Sequence, residues 1–493
     1  YEHSRSHRKG QELQRYGIAP TVTIKPTAKT KVVIQAELFK DDRTADRGIP
    51  SKNGRPFKGG SKNTFYGNPA LSPTDTNKKA ISMHVDHRFN ENFKFRNRVH
   101  YAKFDKFYQN VYANGSVSDS NTVALGAYND ETDRENFFNQ TDLLLNLNTG
   151  PVKHKIITGV EFFRQVTKQI RNKGTFADSS TVNVYDPIYR GAISWAPYGA
   201  GSGKSNHSIS TSGIGVYIQD HMELHPMVHV TAGVRYDRFE QDARNRYTDS
   251  TLRSRDDHIS PRFGLILKPL KRLSVYGSWS MTHQPRGGDQ LKSLTVSNAA
   301  LAPERFINIE GGIKYDVLNN LSFTTAFFQL DRTNVILQGA EAGTTRLGKG
   351  TRTRGVEVGL QGQITDKWNV LASYTYMEGT LRAGQSNAGN TLKETPKNMY
   401  AVWNRYDVTP WFGAAFGVVG RSASFTKEDN TVTLPSYARV DAALYGKINK
   451  HLRAQVNIQN LFDTNYYVSS HNNNNIMPGA PITARVTLIA TFD

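Results

Sequence analysis

Apolar and polar residues alternate at period two along almost the whole chain, in stretches that recur about every 10–14 residues. In residues 452–459, Leu452, Ala454, Val456 and Ile458 fall on one face; Arg453, Gln455, Asn457 and Gln459 fall on the other. Such a strand is half-buried. The same pattern runs through Val228/Val230/Ala232/Val234, Ile307/Ile309/Ile313 and Ala484/Val486/Leu488/Ala490. Opposite faces carry Lys94, Arg96 and Arg98, or Asn308, Glu310 and Lys314, which are costly in a dry core and cheap against water. The connections are of two kinds that take turns. Short ones include Asn90–Asn92, Asn148–Pro151, Pro269–Lys271 and Asp366–Lys367; long ones include roughly 41–79, 105–136, 167–212, 241–257, 284–303, 336–349, 380–396, 423–436 and 463–483. A soluble meander has no reason to put every long loop at one end. A membrane barrel does, with short turns on one side and long loops on the other.

The pattern therefore predicts an all-β fold, a transmembrane antiparallel β-barrel. No run approaches the roughly 18 apolar residues that a spanning helix needs, and a barrel leaves no such run because only alternate residues face lipid. Composition agrees: 37% of residues are hydrophobic, while Tyr reaches 23 and Phe 24, as suits a sheet with little dry core and many aromatic surface positions. Trp368 and Trp411 directly follow short turns, where an interfacial aromatic belt is expected. Counting from residue 11 gives 19 strands. A bacterial single-chain barrel normally has an even number, so strands are expected upstream, with residues 1–7 the tail of an earlier strand. The chain opens on Tyr1 with no apolar leader, which fits removal of an N-terminal region.

With no cysteine, disulfides, thiol catalysis and cysteine-bound metals are excluded. Net charge is +19, a field that attracts anions. The basic residues are scattered, and no zinc-finger spacing, basic helix or single-strand-binding module appears, which argues against nucleic acid. A small polyanion or anionic lipid headgroups fit better. No nucleophile elbow or zinc-hydrolase motif occurs, so the chain reads as a non-enzyme. His3/His7 and His225/His229 are spaced by four, but the second pair straddles a turn.

The segment Asn457-Ile458-Gln459-Asn460-Leu461-Phe462-Asp463-Thr464-Asn465-Tyr466 resembles the near-terminal strand of TonB-dependent receptors. Gly233-Val234-Arg235-Tyr236-Asp237, Ser260-Pro261-Arg262, Arg354-Gly355-Val356-Glu357 and a last strand ending at Phe492 follow in the expected order. The extra Asp493 departs from the usual aromatic terminus. The Asn-rich loop His471–Ile476 before Pro478-Gly479-Ala480-Pro481 resembles catecholate-type ferric siderophore receptors.

The resemblance implies a barrel of about 22 strands when complete, closed around an N-terminal plug preceded by a TonB box. Residues 1–493 then form the barrel domain, lacking its first strands and plug, and alone should not make a closed receptor. It also implies a monomer in the outer membrane of a Gram-negative cell, surrounded by lipid and lipopolysaccharide. A ferric siderophore would be the cargo, with no intrinsic cofactor or metal site. Energy would come from the TonB–ExbB–ExbD complex through the N-terminal region. A hydroxamate siderophore or haem is the alternative cargo, although His283 and His471 do not sit in a haem-receptor setting; a passive porin or surface adhesin is the rival barrel.

Ferric catecholates are aromatic and anionic, so Arg and Lys for charge and Trp or Tyr for stacking are the expected contacts. The long loops offer Trp195, which sits outside every expected strand, with Arg286 and Tyr247, then Arg244, Tyr198 and Arg190. Asn473 supplies a neutral donor and acceptor, or caps its own loop.

Overall fold

The computed structural model describes residues 1–198, 206–286, 299, 301–338 and 345–492, so Asp493 lies outside the described residues. A 23-stranded antiparallel sheet forms the wall. Its opening strands are β1 (Glu2–Arg5), β2 (Glu12–Ile18), β3 (Thr21–Thr27), β4 (Thr30–Thr44), β5 (Pro73–Arg88), β6 (Phe93–Ala113), β7 (Thr122–Thr149) and β8 (Val152–Phe176). Each later strand pairs with its predecessor, from Asn206–His225 to the last, Thr483–Ala490. Both β2 and β3 pair with β4, one above and one below Ala19-Pro20, so they are a single strand interrupted where proline cannot donate. Taken as one, nineteen strands cross among the described residues, in agreement with the count from the alternation. β1 pairs with β2, Glu2 lying opposite Arg15. No ladder joins β3 to Thr483–Ala490 among the described residues, and both strands are exposed along nearly their whole length.

The two faces separate by chemistry. Ile81, Met83, Tyr101, Phe137, Val160 and Phe162 are exposed and point outward. Their neighbours along each strand, such as Gln140, Asp142, Glu161 and Arg235, are tied into a hydrogen-bonded lumen wall: Arg235 meets Glu161 at 3.1 Å and Asp237 at 2.7 Å. Tyr101 and Phe137 are paired in register, and one step toward the loops the outward positions become Lys103 and Glu135. That change marks the outer edge of the apolar band. Among the described residues no helix is long and apolar enough to cross a membrane; the strands do the crossing.

The strands run well beyond this edge, which corrects several of the expected loops, 41–79 and 336–349 at their ends and three others more deeply. Residues 105–136 are strand except for a short tip between β6 and β7; 167–212 begins and ends as strand; and 241–257 shrinks to a four-residue tip, 246–249. Above the membrane both faces of a strand meet water, so the apolar–polar contrast fades although the ladder continues.

At the extracellular end the loops share a dry core. Ile49, Phe57, Tyr66, Val117, Val184, Leu434 and Ile476 are all buried in it. Ile49 and Ile476 exchange backbone hydrogen bonds of 2.7 and 3.0 Å, clasping the loop after β4 to the loop before the last strand. Ser51 donates to Asn474 (2.7 Å) and Asn475 to the Ala113 carbonyl (2.7 Å). Beneath the clasp, Arg8 and Asp46 form a fully buried ion pair at 2.6 Å.

Candidate functional site

Period two continues along β6, β7 and β8 above the apolar band, and register brings one polar face together there. Lys106 lies opposite Thr132, Tyr108 opposite Asp130, and Arg134 opposite Thr167; Asp130 in turn lies opposite Arg171. With Arg47 from the loop after β4, all of these except Thr167 line a cavity of ≈ 610 Å³ at the extracellular end of the lumen.

Its chemistry is a set of cations among phenols. The Arg47 guanidinium sits 4.9 Å from the Tyr112 ring centroid, 5.3 Å from Tyr128 and 5.9 Å from Tyr108. It donates to the Tyr108 hydroxyl at 3.1 Å and also to Tyr128. Arg171 also stacks on Tyr128, at 4.8 Å, and is fixed by Asp130 at 2.7 Å. Gln169 and Thr132 also donate to Asp130, so that carboxylate is fully engaged in holding the wall. Burial pushes the Tyr112 and Tyr128 phenols above their ordinary range, which keeps both as neutral donors. Four cations (Arg47, Lys106, Arg134 and Arg171) face one carboxylate, and among the described residues Arg47, Lys106 and Arg134 have no acidic partner. Arg134 donates to the Thr167 hydroxyl at 3.0 Å. The arrangement can take an anion that also presents aromatic or phenolic surface.

A second cavity of ≈ 540 Å³ at the periplasmic rim is more evenly balanced: Arg405 stacks on Tyr445 at 4.3 Å but is matched by Asp407 at 2.9 Å, and Lys367, Lys447 and Arg453 share the lining with Asp366.

The residues singled out in the sequence are dispersed. Tyr198 comes nearest, its backbone N–H reaching the Arg171 carbonyl at 3.5 Å. Trp195 lies in a short strand, Ile193–Pro197, paired with the end of β8, and is not outside every strand; it packs half-buried on Val111, Leu125, Ala127 and Tyr189. Arg190 is exposed and clamped by Asp186 through two bonds of 3.0 Å. Arg244 pairs with Asp249 at the exposed hairpin tip that carries Tyr247. Arg286 is 3% exposed and donates to the Leu301 and Asn334 carbonyls, fastening a loop residue to the strand Leu321–Gln338. Asn473 joins Asp429, Thr431 and Thr426 across two loops. Arg47, Lys106, Tyr108, Tyr128, Arg134 and Arg171 were not singled out. Following the alternation past Lys103 would have put five of them on the lumen face.

Residues 25–461 match the TonB dependent receptor-like, beta-barrel family. The chain is 26% identical over 507 residues to the probable TonB-dependent siderophore receptor PiuA of Acinetobacter baumannii, covering 94% of this chain and 68% of that protein. The PiuA crystal structure superposes with a TM-score of 0.88, at 24% identity, over 99% of this chain and 75% of PiuA. The metal-pseudopaline receptor CntO of Pseudomonas aeruginosa is 24% identical over 518 residues, covering 100% of this chain and 70% of CntO. The closed crystal form of the ferric-catecholate import receptor Fiu from Escherichia coli K12 matches with a TM-score of 0.86 at 22% identity, covering 99% and 76% of the two chains.

Proposed function

The chain belongs to the TonB-dependent receptor family, outer-membrane transporters driven through the TonB–ExbB–ExbD complex, and we propose that its cargo is an anionic ferric siderophore of the catecholate type, first held in the Arg47–Tyr128–Arg171 cavity. The observation that carries this reading is the cavity's composition, three cations free of carboxylates beside three tyrosine rings. Three catecholate dianions outweigh one ferric ion, so the complex is strongly negative and its rim is aromatic. Arginine answers both features, by charge and by stacking. A hydroxamate complex offers neither the charge nor the rings. The names of PiuA and Fiu, a siderophore receptor and a ferric-catecholate import receptor, agree with this cargo.

We further read residues 1–493 as the barrel part of a larger receptor. Unpaired edges in lipid cost several kcal/mol per exposed group, and the free edges of β3 and Thr483–Ala490 are where additional strands would close the wall.

A fluorescence titration of the full-length receptor tests the cargo. Quenching of intrinsic tryptophan fluorescence reads occupancy; Trp195 itself packs with Ala127 on the face of β7 away from Tyr128. Saturable quenching by a ferric tris-catecholate, and none by a ferric tris-hydroxamate, is expected. The reverse preference would keep the receptor and sink the catecholate reading.

A further inference from the structure

On its lumen face β6 carries a basic or imidazole side chain at each second position from the periplasmic turn: Lys94, Arg96, Arg98 and His100. After Ala102 and Phe104 the series reaches Lys106, in the wall of the extracellular cavity. The intervening Phe95, Val99 and Tyr101 share the outward face. From Lys94 to Lys106 the row covers roughly 40 Å of strand. Its lower end opens on another cavity, of ≈ 330 Å³, at the periplasmic mouth between the β3–β4 and β5–β6 turns. Lys25, Lys29, Lys31, Arg88, Lys94 and Arg96 line it, against Asp86 as the one carboxylate in the lining. Asp86 holds Arg96 at 2.9 Å. Lys31, Arg88, Lys94 and Arg98 make no ion pair among the described residues, and Lys31, Arg88 and Lys94 are exposed. Elsewhere around the wall several arginines are matched, Arg235 by Glu161, Arg352 by Asp331, Arg405 by Asp407 and Arg439 by Asp441, and those unmatched among the described residues, such as Arg262, Arg453 and Arg485, stand singly on different strands and not in a row.

We propose that the lumen face of β6 is an anion track, and that the basic mouth formed with β4 and β5 is a second station where the ferric complex pauses before entering the periplasm. This rests on the anionic cargo argued above. A cationic strip on a low-dielectric wall raises the local concentration of an anion along its length. Passage also needs several sites weak enough to leave, and unpaired, hydrated lysines and arginines in a row provide that better than one tight cage. Continuity with the extracellular cavity favours a moving cargo over a fixed acidic polypeptide segment.

The test uses the full-length receptor in cells, comparing the parent with a Lys94→Gln/Arg98→Gln double variant. Arg96 is left intact because it is tied to Asp86. Three quantities are read: equilibrium surface binding of a ferric tris-catecholate without energy, initial uptake rate at saturating complex, and leakage of a bulky antibiotic. Uptake should fall about fivefold or more, with surface affinity and leakage unchanged, and Lys94→Arg/Arg98→Lys should restore it. Unaltered uptake by the double variant sinks the track alone. New leakage or lost surface binding would show that the strip holds a protein segment in the lumen, and would overturn the proposal. No binding by the parent sinks the cargo reading and the track with it.

Discussion

Replacing Arg47 by alanine isolates the extracellular cavity from the stability of the wall. The guanidinium touches three tyrosine rings and two of their hydroxyls, but no carboxylate. Its removal therefore strands no buried anion, and the lost cation–π contacts amount to about 0.5–1 kcal/mol each. The receptor should fold and insert as before. Toward an anionic ligand the loss is larger, because a hydrogen bond to a charged group contributes about 1.5–3 kcal/mol. That corresponds to a rise in Kd of about 10- to 150-fold. Arg47→Lys keeps the charge without the planar fork and should fall between parent and alanine variant. Arg190→Ala is the control: that side chain is 68% exposed, is occupied by Asp186, and lies outside the cavity lining, so affinity should not move. The assay is equilibrium binding of a ferric tris-catecholate to purified full-length receptor. An Arg47→Ala variant that binds as tightly as the parent would refute the placement of the site.

Three further outcomes bear on the extracellular clasp. Asp46→Ala leaves the Arg8 guanidinium buried without its partner and should cost about 3–5 kcal/mol, seen as a lower unfolding temperature and faster proteolysis of the extracellular loops. Gly48 has φ +81°, and a Cβ there would stand 2.0 Å from the Ile476 carbonyl oxygen. Gly48→Ala should loosen the clasp by about 1–3 kcal/mol, measured as faster hydrogen exchange at the Ile49 and Ile476 amides. The buried Tyr66 phenol is pushed up to about 12 from 10.0 by burial. Its folded-state value is raised, so its contribution to stability is complete below pH 10.0 and is lost as pH rises through about 12; Tyr66→Phe should remove that alkaline step from a stability–pH profile of the loops.

The barrel was legible because lipid and lumen impose opposite demands on successive residues. That contrast gave the strand count. Above the apolar band the contrast weakens: Lys103 and Glu135 face outward as readily as Lys106 and Arg134 face inward. The sequence between Asp105 and Asn136 therefore looked like loop, and the cavity it builds went unseen. Loop composition pointed to Trp195, Arg286 and Asn473 for a related reason. Aromatic, basic and amide groups suit a ligand, but they equally suit neighbouring loops, and which use applies depends on contacts across hundreds of residues. Asn475 shows the scale, reaching the Ala113 carbonyl 362 positions away.

The same periodicity links the fold to the proposed transport path. In a strand every second residue addresses the lumen, so one strand can carry a row of cations from one end of the pore to the other. The opposite phase of β6 carries Phe93, Phe95, Val99 and Tyr101. A slip of one residue would send Lys94, Arg96 and Arg98 into the lipid phase, at about 2–4 kcal/mol for each charge placed near the midplane. The aromatic and aliphatic set would move into water at the same time. The residues that would guide an anion thus also fix the register of the strand that carries them. Their excess positive charge is tolerated because the lumen is wet, which is also the condition for a charged cargo to pass. On this view part of the +19 net charge of the chain is a property of the path: arginines matched by carboxylates, such as Arg235, Arg352 and Arg405, contribute nothing to it, whereas β4, β5 and β6 concentrate unpaired cations along the proposed path.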